Sequence, residues 1–238
     1  MDLTNVKALT FDVFGTVVDW RGSVIGELEQ LGRAKGITAD WGKIADAWRT
    51  EGYLEATGKV RRGELPWLNA DQLHRRMLDE LLARLNIADL SEAEKDHLNR
   101  VWHRLKPWPD AVAGLKRLRR RYVLATLSNG NMALLTNMAK NAGLPWDCIL
   151  SSELIKSYKP DPKVYQMAAD FLGLPTSQVM MVAAHKSDLK GAQAVGMKLA
   201  YVPRTKEWSK ETGEDYSNEP WLDVYAADFR ELATKLGA

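Results

Sequence analysis

A carboxylate stands directly after a short apolar run near the start of the chain. Residues 6–13 predict a buried strand, and Asp12 lies at its carboxyl end, ahead of a turn at Gly15. Open α/β sheets keep their active sites at this end of the strands. An aspartate there can attack a carbon atom and form an ester, which divides one difficult displacement into two easier steps. Taken alone, Asp12 is better explained as a turn residue or a helix N-cap.

Three further polar segments change that balance, because each follows a predicted strand. Ser128 and Asn129 follow the strand predicted at 122–127, Lys159 lies in a turn before a predicted helix, and residues 183–188 follow the strand predicted at 179–183. In a parallel sheet these segments converge on one edge. Lys159 would then keep Asp12 ionised and offset the charge of an anionic substrate, whereas in isolation it would be a solvated loop residue. Together the motifs favour Asp12 as a nucleophile.

The elements that must position these residues predict an α/β fold with a parallel sheet. Strand and helix patterns alternate after residue 105. The predicted strands are 6–13, 122–127, 148–150, 179–183, 198–202 and 224–226, and the helices between them are 111–120, 131–141, 162–172 and 189–195. Residues 204–223 are polar and irregular, which predicts a surface loop.

The segment between the first strand and residue 105 predicts helices alone, at 21–35, 41–57, 69–85 and 91–104. Ser91 and Glu94 have the spacing of a capping box at the start of the last helix. We therefore expect two units. Residues 1–19 and 105–238 form a Rossmann-like core domain with the catalytic motifs, and residues 20–104 form an inserted helical cap domain.

Composition excludes several classes of protein. The 238 residues carry 33 Lys and Arg against 31 Asp and Glu, a net charge of +2, so nucleic acid and anionic membrane are poor partners. Cys148 is the single cysteine, which rules out an intrachain disulfide. The chain shows neither a signal peptide nor an apolar run long enough to span a bilayer. A cytoplasmic enzyme with a small-molecule substrate is the default expectation.

The motifs closely resemble those of the haloacid dehalogenase superfamily, whose phosphatases have the pattern DxDGTLxD around the nucleophile. Here the second aspartate is replaced by Phe14, and a Trp48-Arg49 pair lies in the helical insert. These features are most similar to the L-2-haloacid dehalogenase (type II) family, over essentially the whole chain. The resemblance implies hydrolytic dehalogenation of short 2-haloacids, such as haloacetates and L-2-halopropionate, to 2-hydroxy acids through an aspartyl ester. It also implies a homodimer and no cofactor.

The resemblance also implies roles for individual residues. Asp12 attacks C2 of the haloacid, with Thr16 orienting it and Lys159 and Asp188 tuning charge and water. The residues expected to bind substrate or halide are Arg49 and Asn129 for the halide, Ser128 with the backbone amides of Val13 and Phe14 for the carboxylate, and Tyr53 and Trp67 as aromatic walls. For Arg49 the alternative is a solvated helix arginine, and for the two aromatic residues it is core packing.

The fourth motif departs from the best-known family members, which have Ser-Ser-Asn-x-x-Asp. This chain has Ala183, Ala184 and His185 before Asp188. Because neutral imidazole accepts a proton near physiological pH, His185 is a candidate to share or take over the positioning of the hydrolytic water. A purely structural hydrogen bond is the equal alternative.

Two rival functions remain. A superfamily phosphatase or phosphonatase would bind magnesium through the nucleophile and further carboxylates. Phe14 and Ala184 occupy positions where such enzymes carry acids, so we expect metal-independent activity with no metal ligands. The other rival is a binding protein that keeps the fold without catalysis.

Overall fold

A computed structural model describes residues 3–87, 90–209 and 219–238. Five parallel strands form the central sheet, in the order β4-β1-β5-β6-β7. Their bounds are β1 Ala8–Phe11, β4 Val123–Thr126, β5 Val179–Ala183, β6 Lys198–Tyr201 and β7 Val224–Tyr225. The parallel sheet and its surrounding helices confirm the predicted fold class.

The sheet separates two apolar layers, because side chains alternate between the faces of each strand. On β5, Met180 and Val182 pack in one layer, while Val179, Met181 and Ala183 pack in the other. Both faces are buried, which explains the continuous apolar sequence of this strand. The helices outside the insert are α6 Ala111–Leu118, α7 Met132–Ala142, α8 Pro162–Leu172, α9 Lys186–Ala194 and α10 Phe229–Lys235.

In the described ranges 20–87 and 90–99, within the segment predicted to be a cap, there are five α-helices. They are α1 Trp20–Lys35, α2 Trp41–Ala47, α3 Glu55–Arg61, α4 Ala70–Arg84 and α5 Glu92–Asn99. Ser91 and Glu94 form the predicted capping box. The continuous helix predicted at 41–57 is interrupted, because a π-helical segment, Trp48–Leu54, separates α2 from α3. Such a π-helical segment is often found at functional sites.

A short antiparallel ribbon connects the two ends of the helical segment. Strand β2, Val18–Asp19, pairs with β3, Lys106–Pro107, so the chain leaves and returns side by side. Two residues per strand carry too little pattern to predict from sequence. Asp19 then caps α1 by accepting a hydrogen bond from the Gly22 amide.

One sequence prediction outside the helical insert is wrong, and a second holds only in part. The strand predicted at 148–150 is reduced to a single bridge between Ala125 and Cys148. The segment predicted as a surface loop contains Glu207, which is buried; residues 210–218 of that loop lie outside the described residues. Within the part of the chain that is described, no helix is long and apolar enough to cross a membrane.

Candidate active site

Asp12 lies where the sequence predicted, immediately after the central strand β1. Its backbone amide donates to the Val182 carbonyl at 3.0 Å, which extends the pairing with β5 by one residue. The Thr16 hydroxyl donates to Asp12 Oδ2 at 2.7 Å. That hydroxyl itself accepts the Ala184 amide at 2.9 Å, so its proton is free to point at the carboxylate. The loop after β5 thereby fixes the donor that orients Asp12.

Lys159 joins Asp12 to a second carboxylate. Its Nζ donates to Asp12 Oδ1 at 2.9 Å and to Asp188 Oδ2 at 2.5 Å. Asp188 Oδ1 accepts the Tyr165 hydroxyl at 2.6 Å. The three charged side chains are at most 10% exposed. The predicted convergence of the Lys159 turn and the 183–188 segment on Asp12 is present in the structure.

The charges in this cluster shift one another's ionisation. Burial opposes ionisation of Asp12, but the Lys159 charge and the hydrogen bonds from His185 and Thr16 outweigh it and hold the pKa of Asp12 well below its usual value. Burial also disfavours the charged Lys159, yet the two carboxylates raise the pKa of its ammonium group. Burial and the nearby Asp12 charge raise the pKa of Asp188. Asp12 is therefore the stronger acid, and its carboxylate stays ionised for attack.

His185 bridges Asp12 to an acidic residue that the sequence did not single out. Its Nδ1 lies 3.0 Å from Asp12 Oδ2, and its Nε2 lies 2.8 Å from Glu207 Oε2. Glu207 Oε1 accepts the Trp20 indole N–H at 2.9 Å. Carboxylates accept but do not donate, so two such neighbours require both ring nitrogens to carry protons. Burial opposes that charge, but Glu207 and Asp12 raise the pKa of His185 to about 10. These contacts favour a doubly protonated ring over the neutral imidazole on which the sequence argument for His185 relied, and its role toward the hydrolytic water stays a prediction.

Arg49 lies in the π-helical segment and is 7% exposed. Its guanidinium carbon lies 5.2 Å from the centre of the Phe14 ring, 5.7 Å from Trp20 and 5.0 Å from Tyr53. Two of its nitrogens, Nε and Nη1, are buried and have no hydrogen-bond partner in the described part of the chain. A buried cation whose N–H groups lack partners is costly unless an anion completes it. Phe14, which replaces the expected second acid, helps to build this cation–π enclosure.

A cleft of about 340 Å³ contains the reactive groups and the guanidinium together. Its volume lies at the lower end of the range of small-molecule sites. The residues that line it are Asp12, Phe14, Arg49, Leu54, Thr57, Arg61, Asn129, Lys159, Pro160, Tyr165, His185, Ser187, Asp188, Glu207 and Trp208.

Three residues expected to touch substrate lie outside the cleft lining. The Ser128 hydroxyl is fully buried and accepts the Gly130 amide at 3.1 Å. Val13 is buried in the core, and Trp67 packs on the Tyr158 ring at 4.6 Å. None of Val13, Trp67 and Ser128 is among the lining residues, so their direct contact with substrate stays a prediction.

Of the two other residues predicted to bind substrate, Asn129 lines the cleft and Tyr53 is buried next to it. The side-chain Oδ1 of Asn129 accepts the Lys159 amide at 2.8 Å, which leaves the amide nitrogen Nδ2 as its donor. Tyr53 is buried beneath Arg49, and its hydroxyl donates to the Asn129 carbonyl at 2.9 Å. The helical segment and the core are therefore connected directly through these two residues.

Sequence reasoning missed several residues that the fold brings into the cleft, chiefly Glu207, Trp208 and Tyr165. It also missed Trp20, which is fully buried and donates to Glu207 from outside the cleft lining. Trp208 packs edge-on against Trp20 at 5.1 Å. The one local signal was Trp208, a large apolar side chain next to Glu207 in a largely polar segment, and it does not identify Glu207 as a partner of His185. No group of three or more His, Cys, Asp or Glu side chains in the described part of the chain is arranged to hold a metal ion.

Comparison with known proteins agrees with this arrangement. The family model described as haloacid dehalogenase-like hydrolase matches residues 6–196. The chain belongs to this family. Among its relatives is the (S)-2-haloacid dehalogenase of Pseudomonas sp. (strain YL), which is 30% identical over 214 residues and 88% covered in both chains. The (S)-2-haloacid dehalogenase 4A of Burkholderia cepacia is 29% identical over 211 residues and 84% covered in both.

Solved structures place the chain among the L-2-haloacid dehalogenases of this hydrolase family. The crystal structure of one L-2-haloacid dehalogenase is 43% identical, with a TM-score of 0.91 over 98% of this chain and 99% of the other. That of a defluorinating L-2-haloacid dehalogenase is 38% identical, with a TM-score of 0.93 over 98% of this chain and 96% of the other.

Proposed function

We propose that this protein hydrolyses the carbon–halogen bond of short 2-haloacids, haloacetates and L-2-halopropionate among them, and releases 2-hydroxy acids. One observation carries the proposal: Arg49, two of whose guanidinium nitrogens have no hydrogen-bond partner among the described residues, lines the same cleft as the ionised carboxylate of Asp12. A nucleophile and an anion site are the two parts that displacement of a halide requires. The names of the relatives, (S)-2-haloacid dehalogenases, support the same substrate class.

The hydrogen bonds of Asp12 favour one oxygen as the attacking atom. Oδ2 accepts from both Thr16 and His185, whereas among the described residues Oδ1 accepts only from Lys159. A carboxylate oxygen has two lone pairs in the plane, so Oδ1 keeps one of them for attack. Its attack forms the Oδ1–C2 bond, and the halogen leaves with the C–X electron pair toward Arg49 and Asn129. Inversion at C2 converts an L-haloacid into a D-hydroxy acid.

Hydrolysis of the ester begins with water at the Asp12 carboxyl carbon, Cγ. The Cγ–Oδ1 bond then breaks, and Oδ1 departs with the product. Lys159 already donates to Oδ1, so it is placed to protonate the departing oxygen. We assign the base for the water to Asp188 rather than to His185, because His185 lies between two carboxylates with both ring nitrogens protonated, whereas the Asp188 carboxylate can accept a proton and its raised pKa favours this. One of the two water protons thus replaces the proton that Lys159 gives to Oδ1. The other water proton leaves to solvent.

A magnesium-dependent phosphatase or phosphonatase is the poorer fit to these residues. The Lys159 ammonium already lies between Asp12 and Asp188, so a cation neutralises both carboxylates. The position of the second phosphatase acid holds Phe14, whose ring packs under Arg49. We therefore expect activity without added metal.

Three wider features belong to the same proposal. Residues 20–104 act as a cap domain on a core of residues 1–19 and 105–238, with the β2–β3 ribbon as its base. The protein acts in the cytoplasm, and it forms a homodimer. Light scattering of the purified protein and proteolysis with and without substrate test the assembly and the cap.

Mass spectrometry tests the central step. Chloroacetate should leave a carboxymethyl group on Asp12, trapped most readily in a variant with slow hydrolysis. In a single turnover in ¹⁸O-labelled water the label should enter Asp12 and not the product. Halide release should persist with a chelator and stop in Asp12→Asn. Label that passes straight into product, or halide release by Asp12→Asn, would refute the ester mechanism.

A further inference from the structure

His185 and Glu207 form a charged pair on the side of Asp12 that faces away from Lys159. Glu207 is 5% exposed, and both of its carboxylate oxygens are engaged, one by Trp20 and one by His185. A carboxylate this buried needs strong partners, and the imidazolium supplies the charge. His185 is about one-third exposed toward the cleft, so the pair reaches the reacting atoms from a buried base.

The Glu207 segment is fastened to the sheet edge. Its backbone amide donates to the Arg204 carbonyl at 3.0 Å, and Arg204 donates to the Thr16 carbonyl at 2.9 Å. Gly15 has a φ of +82°, and a side chain there would collide with the Glu207 carboxylate at 2.1 Å. The turn after Asp12 is therefore shaped to admit Glu207 close to the nucleophile.

We propose that His185 and Thr16 form the oxyanion site for hydrolysis of the Asp12 ester, and that Glu207 is the positioning residue that keeps His185 doubly protonated. This inference rests on the proposed dehalogenase function. Alkylation at Oδ1 leaves Oδ2 as the ester carbonyl oxygen, which faces the Thr16 hydroxyl at 2.7 Å and His185 Nδ1 at 3.0 Å. Those distances suit donors of an oxyanion site.

The electrons and protons of this step balance without transfer from His185. Water adds to Cγ, and the carbonyl π pair moves onto Oδ2, where both donors strengthen their hydrogen bonds to the new negative charge. When the Cγ–Oδ1 bond breaks, that pair returns to form the carbonyl. His185 keeps its proton throughout and acts as a charged donor, which is stronger than a neutral one. A neutral amide at this position, as in the family motif, would lack that charge.

Other charged groups around His185 set the conditions for a pH test. Asp12 and Glu207 contact it directly, Lys159 and Asp188 lie beyond Asp12, and Arg49 and Arg61 line the same cleft. A Glu207→Gln variant retains all of these charged groups except the Glu207 carboxylate. A change in the pH profile of ester hydrolysis in this variant therefore reports on that carboxylate.

The experiment follows halide release and ester hydrolysis separately in single turnovers with chloroacetate. In Glu207→Gln the halide burst should stay within a fewfold of wild type, while hydrolysis slows about tenfold at neutral pH, the difference between a charged and a neutral donor. The carboxymethyl ester should accumulate, and the alkaline limb of hydrolysis should move to lower pH. Glu207→Asp, which keeps the charge, should restore the alkaline limb at least in part.

Glu219→Gln provides the matched control. Glu219 also accepts a tryptophan indole N–H, from Trp221 at 2.6 Å, and pairs with Lys186 at 3.6 Å, but it lies outside the cleft lining. It should leave both steps unchanged. If Glu207→Gln hydrolyses the ester at the wild-type rate and pH profile, or if it loses the halide burst as fully as hydrolysis, the inference is overturned. If wild type itself forms no ester, the proposed function fails instead.

Discussion

Replacing Arg49 by methionine should greatly slow halide release without lowering the free energy of unfolding. Two guanidinium nitrogens of Arg49, Nε and Nη1, have no hydrogen-bond partner among the described residues, and the proposed role of Arg49 is to donate to the departing halide. Hydrogen bonds from a charged donor contribute about 1.5–3 kcal/mol each, so losing two costs about 3–6 kcal/mol in the transition state. The halide-releasing step should therefore slow by about 10²–10⁴-fold.

The same substitution should not lower the free energy of unfolding of the ligand-free protein, and it should raise it if it has any effect. The cation–π contacts of Arg49 with Phe14, Trp20 and Tyr53 contribute up to about 2 kcal/mol, whereas burying an unpaired ion costs several kcal/mol. Methionine keeps much of the apolar stem and removes the charge. We expect the unfolding free energy of Arg49→Met to be at least that of wild type and at most about 1–2 kcal/mol higher. Each kcal/mol gained should raise the Tm by about 2–4 °C.

Arg204 is the matched control, because it is a buried arginine over aromatic rings that does have a carboxylate partner. It lies 5.6 Å from the Trp108 ring and 4.8 Å from Phe229, and it pairs with both oxygens of Asp110. Arg204→Met should lose about 3–5 kcal/mol by stranding that carboxylate. Thermal unfolding and single-turnover halide release test both variants. Bromide should raise the Tm of wild type but not of Arg49→Met. An Arg49→Met that unfolds as early as Arg204→Met, or that releases halide at the wild-type rate, would show that Arg49 is structural.

Two further predictions concern the hydrogen bonds and the ionisation of the site. Tyr165→Phe removes a hydrogen bond to the buried Asp188 carboxylate and should lower the unfolding free energy by about 1.5–3 kcal/mol. The control Tyr122→Phe should lower it by about 1 kcal/mol, because the Tyr122 hydroxyl donates to a neutral carbonyl. If urea titration gives equal losses for the two variants, an ionised Asp188 is contradicted. The folded-state pKa of His185 lies near 10, above its ordinary value of 6.5, so its charge stabilises the fold fully below about pH 6.5 and this contribution disappears as pH rises through 10. The stability difference between wild type and His185→Asn should narrow over that range, and a difference that stays constant from pH 6 to 10 would contradict the charged state.

The strands of the core were predictable because each is an apolar run bounded by polar or turn residues. Strand β5, Val179–Ala183, and helix α8, Pro162–Leu172, have the predicted bounds. The π-helical segment Trp48–Leu54 was not predictable, since its residues follow the same apolar spacing as an α-helix. The prediction of a strand at 148–150 failed for a different reason. Its apolar residues pack on the core, but its pairing beside β4 consists of an isolated bridge between Ala125 and Cys148 and backbone hydrogen bonds that include those from Thr126 to Cys148 and from Ser128 to Leu150.

The site was predictable where it is built from strand ends and unpredictable where it is built from loops. Asp12, Lys159 and Asp188 meet because the sheet topology brings their segments to one edge. Glu207 lies beyond β6 in a polar segment, and no local pattern marks it as the partner of His185. Because that partner was missing from the sequence argument, the sequence could not indicate that His185 lies between two carboxylates.

The charges of the site pair differently before and after the proposed ester forms. In the resting protein Asp12 is shared between two cations, Lys159 and His185, each of which also contacts a second carboxylate. Alkylation neutralises Asp12 and leaves the Lys159–Asp188 and His185–Glu207 pairs, each with one charge of either sign. The ester is thus formed in a cluster whose remaining ions already have partners, which limits the electrostatic cost of losing the nucleophile's charge. Substitution of either outer carboxylate should upset this balance at the ester stage more than at the attack, because only then does each cation depend on a single partner.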